Sequence, residues 1–563
     1  MQVRHTLEEA LQVKPVISQI LLNREIADPE EAWQFLHPAL KDLHNPFLMK
    51  DIEKGVDRLI KAIFGNERIA IYGDYDADGI TSVVVLVKFI SQFYNNITHY
   101  IPDRIKEGYG LNTDAIDALK HDGVSLIITV DCGTTDHDEI RHAKSLDVDT
   151  IVLDHHEVPE RLPDAVAMVN PNRIDCAFPF KHLAGVGIVF NFIIALRGKL
   201  RNVGFWNNRI YPNLKEYLDL VAIGTIGDIA PLIDENRIFA KIGLEVISQG
   251  KRHGIRALKI VSGLNNSSID SKAASFQIIP RINAAGRVGS PEDAVQLLLT
   301  DNPDKAMRLA GVLDTYNRQR QEIERNIIDE IFNKIDEIIN LETAKSIVLA
   351  SPSWHPGVIG IVASRVVDKY YRPTILISLN NGVGKGSGRS ITSFNLYNGL
   401  KESCDPFLIS YGGHQYAAGI TIREENIEEF SHAFNKAVRD DVGTSDLIPL
   451  TFIDAECNLH DITYELLHQI EMLAPFGNRN PEPVLCVKNI KVASSIVVGT
   501  NHLRMRVNED YTYHDSIWFG MGHVSRLLPE SEIDIAFTPQ FNNWNGLNNI
   551  QLKMIDISLT GSP

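Results

Sequence analysis

Between residues 68 and 169, short β-branched runs alternate with amphipathic stretches. Residues 68–73 (RIAIYG), 125–130 (SLIITV) and 150–153 (TIVL) are near-continuous apolar runs, while 80–93 and 113–120 carry helical spacing. Strands buried on both faces and separated by helices predict an α/β fold with a doubly wound parallel sheet. Residues 1–67 read as mainly helical and are expected to pack as an N-terminal cap. Residues 180–300 also read as mostly helical, with 216–227 the clearest case. From 302 to 340 only Pro303 and Gly311 interrupt a helical composition, and Ile323, Ile327, Ile331, Ile335 and Ile339 step by four. One connector helix of roughly 50–60 Å is expected there, long enough to join two domains across a cleft. A second α/β unit follows, with strands at 346–351 and 374–379 around a helix starting near Gly357. After about Ile448 the segments LRMRV, IDIAF and IQLKMIDI alternate apolar with polar, and Asn545-Gly546 is a turn signal. A small antiparallel β-barrel or sandwich is expected over 451–563.

Composition narrows the class. At 563 residues the chain exceeds one ordinary core, so several domains are expected. Its 44% hydrophobic and 23% charged residues exclude disordered and fibrous classes. With 55 Lys+Arg against 72 Asp+Glu the net charge is -17, which argues against broad adhesion to nucleic acid or anionic membrane but leaves room for a local basic groove. Five scattered cysteines without a CxxC pair suggest neither a disulfide framework nor a thiolate zinc site, and a reducing cytoplasm fits best. Arg4, Glu8 and Glu9 stand where a signal peptide needs apolar residues. The most apolar stretch, 183–196, is shorter than the ~20 residues of a membrane span and reads as a buried helix.

Chemistry enters where the acids fall. The first run leads into Asp74-Tyr75-Asp76-Ala77-Asp78-Gly79, the second into Asp131-Cys132-Gly133, the third into Asp154-His155-His156. Ligands of open α/β sheets bind beyond the carboxyl ends of the strands, so one crevice would collect these groups, with Asp228 entering from the apolar run LVAIGTIG. Clustered carboxylates repel unless cations neutralise them. An EF-hand is a poor alternative, because its twelfth position would be Val85 and a strand precedes the loop. A lone Asp after a strand is usually a turn or cap residue, but three strand ends with a His pair favour a metal site. Carboxylates with imidazole and no thiolate suit Mn²⁺ first and Mg²⁺ second. Asp76, Asp78, Asp131, His155 and Asp228 supply enough ligands for two ions. Two such ions promote in-line displacement at phosphorus, so phosphoester hydrolysis is the expected reaction class.

The motifs GDYDADG (73–79), VDCG (130–133), LDHH (153–156), AIGTIGD (222–228) and INAAGR (282–287) resemble those of the DHH phosphoesterase family, in the family order. SWHPGVIGIVASR (353–365), GSGRSI (386–391) and YGGH (411–414) resemble its associated domain, and APFG (474–477) opens a region similar to the oligonucleotide-binding barrel of the family's exonucleases. The resemblance covers nearly the whole chain. It implies a helical cap (1–67), a DHH catalytic domain (68–300), a connector helix (301–345), a DHH-associated substrate-binding domain (346–448) and an OB-like nucleic-acid-binding domain (449–563). It further implies a 5′-to-3′ exonuclease that hydrolyses single-stranded DNA to mononucleotides in DNA repair and recombination. The family's metal ligands map onto Asp76, Asp78, Asp131, His155 and Asp228, with Asp74, Asp154 and His156 beside them as catalytic, further ligand or supporting groups. Leu153, Gly227 and Gly388 depart from commoner family residues without removing a ligand.

Substrate handling needs positive charge somewhere in an acidic chain. Residues 346–400 contain Arg365, Lys369, Arg372, Lys385 and Arg389 against the single acid Asp368. Residues 384–389 (GKGSGR) read as a glycine-rich loop able to cradle phosphate through Ser387 and Arg389. The resemblance adds Arg104, Arg281, Arg287 and His414 as phosphate contacts. Tyr511, Tyr513, Trp518, Phe519, Phe541 and Trp544 include candidate base-stacking platforms, and Arg504 and Arg506 share a strand face. A single-strand-binding protein and a helicase of the RecQ type are partners expected from the family; no membrane contact and a monomer are expected. The competing readings are a family phosphoesterase acting on short oligonucleotides or small phosphate substrates, and a non-catalytic DNA-binding scaffold. The C-terminal 113 residues from Thr451 argue against the first, and the intact acids argue against the second.

Overall fold

The computed structural model describes residues 2–559 apart from 105, 266, 339, 341, 342, 444, 527–531 and 543–548. Ile339, Trp544 and Asn545-Gly546 lie outside the described residues. The first sheet is fully parallel, with β1 (Arg68–Gly73), β2 (Ile97–Tyr100), β3 (Val124–Val130), β4 (Asp149–Leu153) and β5 (Ala167–Val169) in the order β2-β1-β3-β4-β5. Period-two alternation explains the apolar runs: Ile69 and Ile71 enter the large core on one face, while Ala70 and Tyr72 enter a smaller core on the other. Because β2 and β3 flank β1 on opposite sides, connections out of this part of the sheet diverge and leave a crevice at the carboxyl ends of β1 and β3.

The connector helix spans Pro303–Ile338, 36 residues and about 54 Å. Its first half belongs to the core of the first domain through Ala306, Leu309, Ala310 and Leu313. Its second half, through Ile327, Ile331 and Ile335, shares a core with the second sheet. That sheet comprises β6 (Ile347–Ser351), β7 (Thr374–Asn380), β8 (Val383–Arg389), β9 (Leu408–Gly413) and β10 (Ala417–Arg423), in the order β6-β7-β8-β10-β9, parallel only between β6 and β7. Helix Ile359–Tyr370 covers one face and helix Ile427–Asp441 the other. The helix thus ties both sheets into one frame.

Towards the C-terminus lie β11 (Ala455–Glu456), β12 (Leu485–Val498), β13 (His502–Glu509), β14 (Thr512–Trp518), β15 (Glu532–Asn542) and β16 (Asn549–Leu559). Pairing of β12 with both β13 and β15 closes five of them into a barrel. Closure buries Leu503, Met505 and Val507 inward at every second position. Residues 1–67, expected as one cap, divide in two. Helices Gln2–Leu11, Pro15–Asn23 and Pro29–Leu36 share the barrel's core, whereas helix Ile52–Phe64 packs on the first sheet. The two ends of the chain are joined by Lys14 N–H donating to Gln469 Oε1 at 2.7 Å and Asn23 Nδ2 donating to the Asp454 carbonyl at 2.7 Å. No helix among the described residues is long and apolar enough to cross a membrane.

One buried cation fastens the barrel to the catalytic domain. Arg237, on helix Asp234–Gln249, is 1% exposed. Its guanidinium donates to the carbonyls of Phe35 (2.7 Å), Leu473 (2.9 Å), Met472 and Ala474 (both 3.1 Å) and covers the Phe35 ring at 3.8 Å. Burial lowers its pKa to about 9, which leaves it protonated at neutral pH. Arg237→Met strands several buried carbonyls, at roughly 1–3 kcal/mol apiece. The variant is expected to melt several degrees below the unsubstituted protein by scanning fluorimetry; an unchanged midpoint would contradict the fastening role.

Candidate metal centre

All three acidic strand ends open into the crevice. Asp74 follows β1, Asp131 follows β3 in a left-handed conformation (φ 60), and Asp154 follows β4. Asp76 caps helix Ala77–Ile90: its Oδ1 accepts from the Asp78 N–H at 2.8 Å and the Gly79 N–H at 3.1 Å. Asp78, in the first turn, accepts from the Gly185 and Val186 N–H groups at 2.6 and 2.8 Å, where helix Gly185–Asn202 begins. Asp228 arrives at the end of helix Leu218–Gly227. His155 Nε2 lies 3.1 Å from Asp131 Oδ1, and its Nδ1 lies 3.8 Å from Asp228 Oδ2. Gly185 is required by close approach, since a Cβ there would sit 2.8 Å from Asp131 Oδ1.

Protonation energetics separate these acids into two kinds. Burial, with the charge of Asp76, pushes Asp74 well above the carboxylate range, and its Oδ1 has no hydrogen-bond partner. Burial, then Asp78, does the same to Asp131. Asp78 rises to about 7 through burial and Asp228, and Asp228 also rises, chiefly through burial. Asp154 behaves oppositely. Burial alone would raise it, but His156 at 2.7 Å and the Thr134, His155 and His156 N–H groups at 3.0, 2.8 and 3.3 Å hold it below its usual range. Burial works against a charged His156, yet Asp154 outweighs it and lifts the imidazole to about 9. Asp154 is therefore a satisfied carboxylate that orients His156, whereas burial and mutual repulsion disfavour charge on the other four, with the single imidazole of His155 shared between Asp131 and Asp228. Ligand atoms of Asp78, His155 and Asp228 lie within 4.8 Å of one another, as do those of Asp74, Asp76 and Asp131. The orphaned Asp74 oxygen and the mutually repelling carboxylates fit a pair of hard divalent cations.

Several supporting residues escaped the sequence reading. The Tyr109 hydroxyl donates to the Asp131 carbonyl at 3.0 Å and lies 3.0 Å from His156 Nδ1. Asn170 Nδ2 donates to the His156 carbonyl at 2.9 Å, and Asn172 Nδ2 to the His155 carbonyl at 2.5 Å. Asn283 Oδ1 accepts from the Ala77 N–H at 2.8 Å. Only Asn283 stood in a recognised motif; Asn170 and Asn172 follow β5, a three-residue strand too short to announce itself.

Beside the acids the cleft turns basic. Arg104 lies over the Tyr75 ring at 4.8 Å. Arg287 is bonded to the Gly357 carbonyl at 2.9 Å and lowered to about 10 by burial and by Arg104. Arg389 is lowered by the same two causes. Arg320 of the connector helix, also lowered by burial, repels Arg287 and was not anticipated. Arg320 and Arg281 are paired by the connector, Glu324 meeting Arg320 at 2.8 Å and Asp314 meeting Arg281 at 2.9 Å. His414 reaches across to Glu157 Oε1 at 3.2 Å, next to the His pair. The segment 384–389 is not a loop: it lies within β8, at the centre of the second sheet. Its glycines accommodate neighbouring side chains, since a Cβ on Gly384 or Gly386 would come within 2.5 Å of Ile377 or Ile420. The opposite face presents Ser387 and Arg389 to Gly360, in the first turn of helix Ile359–Tyr370. Ser387 and Arg389 thus stand on a strand face instead of in a nest of N–H groups. In the barrel, Trp518 is core, Phe541 packs on Tyr464 and His468, and Arg504 pairs with Asp515 at 2.8 Å. Tyr511, Tyr513 and Phe519 remain exposed, with Arg506 over the Tyr513 ring at 5.0 Å.

The grip of Asp154 on His156 can be read directly. In metal-free protein, Asp154→Asn removes the charge that raises His156 and leaves burial, which lowers it. The imidazole is expected to titrate near 9 in the parent protein and below 6.5 in Asp154→Asn, by NMR of labelled histidine; an unchanged midpoint would refute the pairing.

Comparison with known proteins agrees with this geometry. Residues 68–225 match the DHH family N-terminal domain, 343–440 the DHHA1 domain and 453–556 the RecJ OB domain. The single-stranded-DNA-specific exonuclease RecJ of Bacillus subtilis is 38% identical over 99% of this chain and 69% of its own length. That of Haemophilus influenzae is 35% identical over 96% and 95%. RecJ of Thermus thermophilus in complex with Mn²⁺ superposes with a TM-score of 0.84 and 28% identity over 99% of this chain and 78% of that one. The same protein with Mg²⁺ gives 0.78 and 27% over 99% and 77%. The chain belongs to the RecJ family of single-stranded-DNA-specific exonucleases.

Proposed function

We propose that the chain hydrolyses single-stranded DNA from the 5′ end, releasing mononucleotides with the help of two Mn²⁺ or Mg²⁺ ions. One observation carries this reading: mutually repelling carboxylates and buried arginines without a carboxylate partner among the described residues stand side by side in one crevice, a cation site beside an anion site. Asp76, Asp78, Asp131, His155 and Asp228 would hold the ions, with Asp74 contributing its free oxygen. When bound, the ions supply Lewis acidity and a water nucleophile at neutral pH. The chain's own groups do the rest. Arg104, Arg287 and Arg389, with Ser387, bind backbone phosphate and fix the register of the strand. His156, kept protonated by Asp154, donates to a phosphate oxygen. His414 approaches the same phosphate from the second sheet, while Arg281 acts through its pairing with the connector. The connector bridges the cleft, which suits one strand and disfavours a duplex.

The functional domains in this reading are 68–300 for catalysis, 346–448 for substrate binding and 449–563 for DNA binding; 1–67 and 301–345 hold them together. Family membership supports a cytoplasmic, monomeric enzyme served by a single-strand-binding protein and a RecQ-type helicase. An end-labelled nuclease assay tests the proposal. Single-stranded DNA labelled at the 5′ end is expected to yield labelled mononucleotide at once, and duplex DNA to resist. EDTA should abolish cleavage, and Asp76→Ala should lower it by more than the ~10–100-fold typical of an outer-sphere change. Equal rates on duplex, or full activity in Asp76→Ala, would refute it.

A further inference from the structure

Helix Leu218–Gly227 ends as it delivers Asp228 to the crevice. Its last turn closes with N–H groups of Asp228, Ile229 and Ala230 donating to the carbonyls of Gly224 (2.8 Å), Ile226 (3.2 Å) and Thr225 (3.2 Å). The five-residue span of the last bond is that of a helix end whose terminal residue is left-handed, and Ile229 there has φ 58. Glycine normally fills such a position; a β-branched residue is an outlier. Packing does not hold Ile229 in place, since it is 71% exposed.

The restraint comes from the segment leading into the barrel. Asn478 Nδ2 donates to the Ile229 carbonyl at 2.9 Å, and the Asn478 carbonyl accepts from the Leu232 N–H at 2.8 Å. The turn that carries Asn478 is braced. Gly477 and Asn480 exchange backbone hydrogen bonds at 2.8 and 3.1 Å, and buried Asn480 donates to the carbonyls of Leu473 and Pro475 at 2.9 and 2.7 Å. Gly477 presses on Leu232 so closely that a Cβ would sit 2.7 Å from its Cδ1. Arg237 anchors residues 472–474 from behind.

We propose that Asn478 is a positioning residue for the metal centre, holding Ile229 left-handed so that Asp228 points at Asp78 and His155. The proposal rests on the reading of Asp228 as a metal ligand. It makes the affinity of one ion depend on a residue far outside the catalytic sheet, while the group of Asp74, Asp76 and Asp131 is untouched. The test is Mn²⁺ binding to the full chain without DNA, followed by electron paramagnetic resonance. Asn478→Ala is expected to weaken one of two ions by about 10–100-fold and leave the other unchanged. Asn478→Asp, which keeps the backbone bond but loses the amide donor, should behave alike. Ile229→Gly added to Asn478→Ala should restore most of the lost affinity, because glycine adopts the left-handed conformation without restraint. Unchanged binding in Asn478→Ala would overturn the proposal. So would failure of Ile229→Gly to restore affinity, since that marks general damage. No Mn²⁺ binding by the unsubstituted chain would overturn the ligand reading itself, and the proposal with it.

Discussion

Repulsion among buried carboxylates is the constraint around which the rest of the structure is arranged. Asp74, Asp78, Asp131 and Asp228 meet at the divergence of the first sheet, where one imidazole, His155, is shared between Asp131 and Asp228 and all four carboxyls stay raised. Such a cluster opposes folding unless something neutralises it. The surrounding scaffold answers with rigidity: helix starts cap Asp76 and Asp78, Gly185 yields room to Asp131, and the Tyr109 hydroxyl ties down the Asp131 backbone. The site is therefore preorganised for cations by the geometry that makes it unstable without them.

The same logic extends across the molecule. Arg104, Arg287 and Arg389 stand on the other side of the cleft, where Arg104 repels both of the others and their burial favours an anion beside them. A rigid 36-residue helix, half in each core, keeps the two charge clusters apart and opposed. Arg237 locks the barrel against the catalytic domain, and the chain's first three helices complete the barrel's core. A substrate that brings its own negative backbone and meets divalent ions relieves both clusters at once.

Much of this was legible in the sequence because it is carried by local pattern. The strand runs 68–73, 125–130 and 150–153 are buried on both faces and cannot be mistaken for amphipathic helices, and the isoleucines spaced by four marked the connector. Asp74, Asp131 and Asp154 were visible because each directly follows a strand. What escaped was set by tertiary contact. Residues 384–389 have the composition of a loop, and only the isoleucines of β7 and β10 packed over the glycines show why the segment is a central strand. The division of residues 1–67 between barrel and sheet depends on where the chain's far end returns. Arg281 carries the same charge as Arg287, and only the position of Asp314 decides that one is paired while the other stays open.

The central claim is that the acidic crevice is held ready for two divalent cations at a cost in protonation. Calorimetric titration of the metal-free chain with Mn²⁺ at pH 7, repeated in buffers of different ionisation enthalpy, measures stoichiometry and proton release together. Two ions should bind per chain, with net release of protons from the carboxyls whose pKa values stand raised in the free protein. Fewer than two ions, or binding without proton release, would contradict the account.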